Sequence, residues 1–198
     1  MNIAIIKYNA GNIYSVVNAI KRLGIEPLLT DHPEEIIKAD RVLLPGQGQA
    51  KTAMACLREK GLDKVITQLR QPVLGICIGQ QLLCRHSEEG DTDCLGIFDA
   101  EVKRFLPTDK CDKVPAMGWN NITELSSPLF AGMEKEDSNY VYFVHSYYVP
   151  LSDYTIAKAD YITSYSAALH KDNFYATQFH PEKSGKVGEL ILKNFLTL

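Results

Sequence analysis

Cys77 is the residue of this sequence whose surroundings most clearly suit chemistry. It directly follows the apolar run 73–76, which predicts a buried strand, and it precedes a segment whose pattern predicts a helix. Gly75 and Gly79 leave room for a sharp turn that would expose the thiol beyond the carboxyl end of the strand, as in a nucleophile elbow. Unpaired N–H groups at a helix start stabilise a thiolate and can donate to an oxyanion. The pattern therefore favours acyl transfer by a cysteine, against the alternative of a small buried residue.

His180 is the candidate base for this thiol. It follows the strand-like run 174–178 and stands two residues before Glu182. The imidazole would accept the thiol proton and return it to a leaving amine, while the carboxylate would bond to the other ring nitrogen and fix its tautomer. His145 also follows a strand-like run, but no carboxylate stands two residues after it. Because His-Pro-Glu alone also fits an ordinary loop, the assignment depends on its lying near Cys77.

A third segment that could contact a reacting group is Pro45-Gly46-Gln47-Gly48, which follows the strand-like run 41–44. Its glycines let backbone N–H groups approach a ligand closely, so the segment could supply a further donor to an oxyanion. A phosphate loop is the rival interpretation, but the Lys-Ser/Thr ending of that motif is absent. A tight turn without function is a third interpretation.

The elements that must position these segments alternate in type along the first half of the chain. Strand-like runs alternate with helical patterns, the strands at 3–6, 27–30, 41–44 and 73–76 and the helices at 15–23 and 52–60. Such alternation predicts a parallel sheet with helices on both faces. Strand-like pieces predominate from about 102 to 178, and the spacing of apolar residues at 188–196 predicts a closing amphipathic helix. We therefore predict one α/β domain over residues 1–198, with a more β-rich second half.

Composition narrows the classes of function. The formal charge is −3 and no Lys/Arg-rich stretch occurs, which argues against partners such as nucleic acid or an anionic membrane. No apolar run is long enough to span a bilayer, and the first residues do not resemble a secretory signal, so we expect a cytoplasmic protein. The five cysteines form no C-x-x-C pair, and we expect neither a disulfide framework, a metal nor a cofactor.

The order of the three segments carries a family resemblance. Pro-Gly-x-Gly at 45–48, Gly-x-Cys-x-Gly-x-Gln at 75–81 and His-Pro-Glu at 180–182 together resemble the class I glutamine amidotransferases, which implies a flavodoxin-like fold with a mainly parallel central sheet. Within that class, the chain is similar throughout its length to the glutaminase subunits of imidazole glycerol phosphate synthase. Four further segments carry the narrower resemblance: 8–12 (YNAGN), 117–120 (MGWN), 142–147 (YFVHSY) and 180–184 (HPEKS).

The resemblance implies roles for individual residues. Cys77, His180 and Glu182 would form a triad that hydrolyses glutamine to glutamate and ammonia through a glutamyl thioester. Residues near the nucleophile and after the strand-like run at 140–144 would hold glutamine or its oxyanion, namely Gly46, Gln47, Gly48, Ile78, Gln81, Ser146 and Tyr147.

The resemblance also implies a partner, a cyclase subunit of (β/α)8-barrel fold with which the chain would form a heterodimer. The cyclase would use the ammonia to make imidazole glycerol phosphate and aminoimidazole carboxamide ribotide in histidine biosynthesis, a lyase reaction. Family resemblance places Asn12, Trp119, Tyr142 and Lys183 on the docking face. The last three residues could equally be two core aromatics and a solvated surface lysine.

Three positions depart from the usual pattern of these subunits. Gln47 stands where valine is expected, Gln80 replaces a common methionine, and Ala116 replaces a histidine. The departures leave open a paralogous amidotransferase subunit that supplies ammonia for surface-sugar amination. A catalytically silent assembly subunit and a related hydrolase that acts without a partner also remain open.

Overall fold

The computed structural model describes residues 1–8, 13–46, 48–133 and 138–198. Within these ranges the chain forms thirteen strands, six α-helices and two short 3₁₀ helices. The strands are β1 (Ile3–Ile6), β2 (Leu28–Thr30), β3 (Arg41–Leu44), β4 (Val73–Ile76), β5 (Cys84–Ser87), β6 (Thr92–Asp93), β7 (Phe98–Arg104), β8 (Ala116–Asn121), β9 (Tyr140–His145), β10 (Tyr147–Tyr148), β11 (Thr155–Tyr161), β12 (Thr163–Lys171) and β13 (Phe174–Thr177). The helices are α1 (Ile13–Arg22), α2 (Pro33–Lys38), α3 (Ala50–Glu59), α4 (Leu62–Thr67), α5 (Ile78–Leu83) and α6 (Gly185–Thr197), with 3₁₀ turns at Pro128–Phe130 and Pro181–Lys183.

A seven-stranded sheet forms the centre of the molecule, in the order β11-β12-β13-β4-β3-β1-β2. The five strands from β13 to β2 are parallel, and β12 and β11 continue the sheet in antiparallel pairing. The predicted mainly parallel sheet is therefore confirmed. Because parallel strands share one carboxyl edge, the residues that follow β3, β4 and β13 meet there, which are Pro45, Cys77 and Gln178.

Two helical layers cover the sheet, and the strand residues alternate between them. Ile3 and Ile5 of β1 belong to the apolar cluster that contains the buried faces of α1 and α6. Ala4 and Ile6 belong to the cluster on the other face, which includes residues of α2, α3 and α4. This period of two is what a strand buried on both sides requires, and it explains why β1 is apolar at every position.

The second half of the chain adds two smaller sheets beside the carboxyl edge of the central sheet. One has the order β10-β7-β5-β6, and the other is the antiparallel pair β8-β9. The predicted β-rich second half is thus confirmed. The helix predicted after Cys77 is present but ends at Leu83, where the chain turns directly into β5 and pairs with β7. None of the helices in the described ranges combines the length and apolar character needed to cross a bilayer.

Candidate active site

The sharp turn predicted at Cys77 is present between β4 and α5. Cys77 has φ 55° and ψ −108°, a backbone conformation that residues other than glycine rarely adopt. The flanking glycines make this turn possible because α5 lies very close to the sheet. A Cβ on Gly75 would stand 2.8 Å from the backbone of Gly79, and one on Gly79 would collide with the carbonyl oxygen of Leu44. The local sequence therefore folds into an elbow that presents one thiol.

Cys77 is held by groups from β9, from β13 and from the residue that follows β13. Its backbone N–H donates to the carbonyl of Thr177 at 2.7 Å, which continues the β4-β13 ladder to the elbow. The sulfur lies 3.8 Å from the carbonyl oxygen of Val144 and 3.8 Å from Nε2 of Gln178. Only a small fraction of Cys77 is exposed, and that fraction faces a cavity.

His180 and Glu182 form a buried pair next to this thiol. Nδ1 of His180 lies 2.8 Å from Oε1 of Glu182, and each side chain is 2% exposed. Burial lowers the pKa of His180, but the Cys77 thiol and the Glu182 carboxylate outweigh burial and raise that pKa from 6.5 to about 10. Nε2 of His180 makes no hydrogen bond with the described residues, so this nitrogen is free to exchange a proton with the sulfur. The structure thus brings the three predicted catalytic residues together.

Ser184, which was not predicted as a site residue, fixes the backbone of His180. Its hydroxyl donates to the carbonyl of His180 at 2.6 Å and accepts the N–H of Tyr142 at 3.0 Å. The N–H of His180 donates in turn to the carbonyl of Tyr142 at 2.9 Å. Two hydrogen bonds therefore join β9 to His180 and Ser184, and the third links these two residues across the 3₁₀ turn Pro181–Lys183. Ser184 directly precedes α6, but its side chain makes no capping hydrogen bond to that helix, so a helix-start signal does not reveal this role.

Gln81 is buried against the same site, but its amide group is already engaged. Nε2 donates to Oε1 of Gln178 at 2.9 Å and to the carbonyl of Tyr147 at 3.1 Å. Since an amide nitrogen has two hydrogens, only the oxygen of Gln81 remains for a ligand. Gln178, whose Nε2 faces the sulfur of Cys77, was not predicted as a site residue. It couples the predicted ligand residues Gln81 and Tyr147 to the nucleophile.

His145 is excluded as the base by its surroundings. It is packed among the rings of Phe105, Phe143 and Tyr165, and its Nδ1 lies 2.7 Å from the carbonyl of Tyr147. A carbonyl only accepts, so Nδ1 carries the hydrogen. Burial is the main cause that lowers the pKa of His145 from 6.5 to about 4. The ring is therefore neutral at pH 7 and serves to hold the Ser146-Tyr147 backbone.

A cavity of about 460 Å³ opens beside the thiol. Described residues from the carboxyl edge and from the two smaller sheets line it: Gly48, Cys77, Ile78, Gln81, Glu89, Pro115, Tyr142, Val144, His145, Ser146, Tyr147, His180 and Lys183. Its volume is in the range of small-molecule sites. Among these lining residues, Glu89 is the single carboxylate and Lys183 the single lysine or arginine. The cavity can therefore take a zwitterionic ligand.

Glu89 is a further functional candidate that sequence reasoning missed. It lies in the turn between β5 and β6, and its Oε2 accepts the N–H of Ala50 at 2.7 Å. Burial raises the pKa of Glu89, and the Ala50 N–H partly opposes that effect. Neither spacing nor a motif singles out this residue, because its role depends on a turn that folds back over the cavity.

Two predicted residues of the Pro45 segment occupy the expected edge. Gly48, with φ +118°, lines the cavity, and Gly46 is packed so tightly that a Cβ would collide with the Ile78 side chain and the Tyr8 hydroxyl. Gln47 and Asn12 lie outside the described residues. In the part of the chain that the structure describes, no group of three or more metal-ligating side chains is found.

Two of the predicted docking residues lie on the antiparallel pair β8-β9, and a third, Lys183, lies in the 3₁₀ turn Pro181–Lys183. Trp119 and Tyr142 are direct partners across β8 and β9, with ring centroids 6.1 Å apart. Trp119 is 57% exposed, so it is not a core aromatic; Tyr142 is partly buried. Met117 and Tyr140 are also largely exposed. This apolar rim, defined by Met117, Trp119, Tyr140 and Tyr142, is continuous with Lys183 through the cavity lining.

The departures at Gln80 and Ala116 fall outside the cavity lining. Gln80 is a fully buried residue of α5, and its Nε2 donates to the carbonyl of Ser166 at 3.2 Å. Ala116 begins β8 and is also buried. Neither substitution therefore removes a group that faces the cavity.

The fold and the site are those of a known family of enzymes. A family model for "Glutamine amidotransferase class-I" matches residues 4–198, and the chain belongs to that family. The chain is 61% identical over 198 residues, which cover 100% of both proteins, to the imidazole glycerol phosphate synthase subunit HisH of Bacteroides fragilis (strain YCH46). It is 46% identical over 200 aligned residues to the subunit of the same name from Escherichia coli (strain K12), again with 100% of each chain covered.

Solved structures share the fold. A crystal structure of a glutamine amidotransferase superposes with a TM-score of 0.75 at 19% identity, covering 98% of this chain and 97% of that chain. At this identity the match speaks for the architecture alone. The α/β fold predicted from strand-helix alternation and from the family resemblance is confirmed.

Proposed function

We propose that this chain is the glutaminase subunit of an imidazole glycerol phosphate synthase, which hydrolyses glutamine and passes the ammonia to a cyclase subunit. The observation that carries the proposal is the elbow thiol of Cys77 beside the buried His180–Glu182 pair. The two curated relatives with full-length coverage support the same assignment, since both are subunits of that synthase.

In the first half of the reaction, Cys77 attacks the side-chain carbonyl carbon of glutamine. The thiol proton passes to Nε2 of His180, the S–C bond forms, and the carbonyl oxygen becomes an oxyanion. His180 then gives the proton to the amide nitrogen, the C–N bond breaks, and ammonia leaves. The Glu182 carboxylate favours the charged form of the imidazole after it takes the proton and holds the ring in position.

In the second half, water hydrolyses the glutamyl thioester. His180 accepts a proton from water, whose oxygen attacks the thioester carbon. The C–S bond then breaks to release glutamate, and His180 returns the proton to the sulfur of Cys77. Oxyanion donors would come from the elbow and from the Pro45 segment, with the backbone N–H of Ile78 the first candidate and those of Gly46, Gln47 and Gly48 the others. No metal is needed for any of these steps, because thiol and imidazole supply the nucleophile and the proton carrier.

Glutamine recognition follows from the charges around the cavity. Glu89 suits the α-ammonium group of the substrate, since it is the single carboxylate among the described lining residues. The Gln81 oxygen and the Ser146-Tyr147 backbone, which Gln81 and His145 hold in place, are further polar groups for the amino-acid moiety.

A partner is implied by the chemistry of ammonia, which is mostly protonated and unreactive in neutral water. The cyclase, of (β/α)8-barrel fold, would cover the cavity mouth and receive ammonia directly, forming a heterodimer in the cytoplasm. Its lyase reaction would yield imidazole glycerol phosphate and aminoimidazole carboxamide ribotide. The apolar rim and Lys183 form the docking face, and Asn12 joins it by family resemblance.

Glutamate release tests the proposal. The purified chain is assayed alone and with a cognate cyclase plus its ribonucleotide ligand, beside a Cys77→Ala control. We expect strong stimulation by the liganded cyclase and no activity in the control. Equal activity with and without the cyclase would point to another partner, such as a sugar-amination enzyme, or to a free-standing hydrolase. Failure of a glutamine-like thiol reagent to label Cys77 would identify a silent assembly subunit.

A further inference from the structure

Tyr8 is a buried hydroxyl that the proposed chemistry does not use. It follows β1 at the carboxyl edge of the sheet and is 3% exposed. Its hydroxyl donates to the carbonyl of Pro45 at 2.5 Å, which ties the end of β1 to the residue that follows β3. Burial is the main cause that raises the pKa of Tyr8, and the nearby Cys77 and Cys56 thiols add to it. The hydroxyl therefore stays protonated and remains a donor.

The bond to Pro45 also fixes the next amide group. The carbonyl of Pro45 and the N–H of Gly46 belong to one planar trans peptide, so they point in opposite directions. Holding the carbonyl on Tyr8 sets the direction of the Gly46 N–H. Gly46 is also closely packed, because a Cβ there would collide with both the Tyr8 hydroxyl and the Ile78 side chain. Ile78 is the residue after the nucleophile.

A second anchor holds the far end of the segment. The N–H of Ala50 donates to Glu89 at 2.7 Å, so Pro45 and Ala50 are each held by a hydrogen bond to a side chain. Gly48 lies between the anchors and lines the cavity. Glu89 faces the proposed substrate, whereas Tyr8 is not among the described lining residues. Tyr8 therefore does not line the cavity, and its hydrogen bond to Pro45 connects it to this segment.

We propose that Tyr8 is a positioning residue, which orients the backbone N–H of Gly46 toward the tetrahedral oxyanion formed at Cys77. This inference rests on the proposed glutaminase function. The competing interpretation is a core tyrosine whose hydroxyl simply needs an acceptor, and such a residue would contribute to stability without influencing turnover. A backbone shift of about 1 Å at a reacting centre can lower the rate by up to about a hundredfold. Removal of one oxyanion donor lowers the rate by about the same factor.

The test compares Tyr8→Phe with wild type in two measurements. The first is glutamate release in the complex with the liganded cyclase, where kcat should fall about tenfold while KM for glutamine stays within about twofold. The second is hydrogen exchange of peptides that cover 45–50, which should become faster. Tyr175→Phe is the matched control, because it removes the hydroxyl of another largely buried tyrosine outside the cavity and should leave both readouts unchanged.

Each outcome decides a separate claim. Unchanged exchange at 45–50 overturns the anchor, and faster exchange with unchanged kcat overturns the positioning role and leaves a structural one. The kcat is calculated per active site, counted by titration with a thiol reagent. A Tyr8→Phe variant that loses stability but keeps this kcat also overturns the positioning role and leaves a structural one. If wild type releases no glutamate with the cyclase, the proposed function fails, and the exchange data alone then confirm or overturn the anchor.

Discussion

Nδ1 of His180 and Oε1 of Glu182 are 2.8 Å apart in surroundings that leave each side chain only 2% exposed. A buried carboxylate of this kind is costly unless it is paired, and Oε2 of Glu182 has no hydrogen-bond partner among the described residues. The pair is therefore maintained for the imidazole, whose charge and orientation it controls.

The Glu182→Gln substitution should lower kcat for glutamine hydrolysis by about a hundredfold or more, because the amide cannot stabilise the imidazolium that forms during attack. Glutamate release in the presence of the liganded cyclase measures this. Glu189→Gln, at an exposed position on α6, is the matched control. Activity of Glu182→Gln within about twofold of wild type would show that His180 acts without its carboxylate.

Glu89→Gln should weaken glutamine binding. The amide oxygen can still accept the Ala50 N–H, but the charge opposite the substrate ammonium is lost, so we expect KM to rise about tenfold to a hundredfold. Initial rates over a range of glutamine concentrations give this value, with Glu59→Gln on α3 as a control for loss of charge. If neither KM nor the dissociation constant for glutamine rises, the substrate ammonium group does not bind at Glu89.

Trp119→Ala should weaken the complex with the cyclase by at least about tenfold, since exposed aromatic residues dominate interface energies. The isolated chain should unfold at nearly the same temperature as wild type, because the ring is 57% exposed. Titration calorimetry with the cyclase measures the affinity. Ile37→Ala, an exposed apolar residue on α2, should bind normally; equal loss in both variants would contradict a localised docking face.

His145 should make stability depend on pH in the acid range. Its folded-state pKa, about 4, lies below the ordinary value of 6.5, so the unfolded chain binds the proton first as the pH falls. The contribution of His145 to stability is thus fully present above about pH 6.5 and is lost as the pH falls toward 4. Urea unfolding at several pH values should show this loss in wild type and less of it in His145→Asn. Parallel pH curves for the two proteins would rule out the buried neutral ring as the cause.

Sequence order alone predicted much of the central sheet and the nucleophile. The apolar run at β4 and the two glycines around Cys77 act over a few residues, so their consequences are local and can be inferred without a structure. The carboxyl edge then brought His180 to Cys77 through parallel pairing of β13 with β4. These predictions depended on general rules of strand pairing rather than on side-chain packing.

The missed features depend on contacts between distant segments. Gln81 and Gln178 are hydrogen-bonded across a separation of 97 residues, and Glu89 reaches Ala50 across 39. No local pattern encodes such pairs. Helix α2 is a different case: it was not predicted, although proline in its first turn and the acidic residues beside it are recognisable start signals.

The hydroxyl of Ser184 links two regions that would otherwise move separately. It bonds to the carbonyl of His180 and to the N–H of Tyr142, whose own carbonyl accepts the His180 N–H. A displacement of β9 would therefore be passed to the backbone of His180 directly, because hydrogen bonds join Tyr142 to His180 and Ser184. The apolar rim and His180 are thus directly connected. A bound partner that shifts the β8-β9 pair would also change the distance between the His180 ring and the Cys77 sulfur.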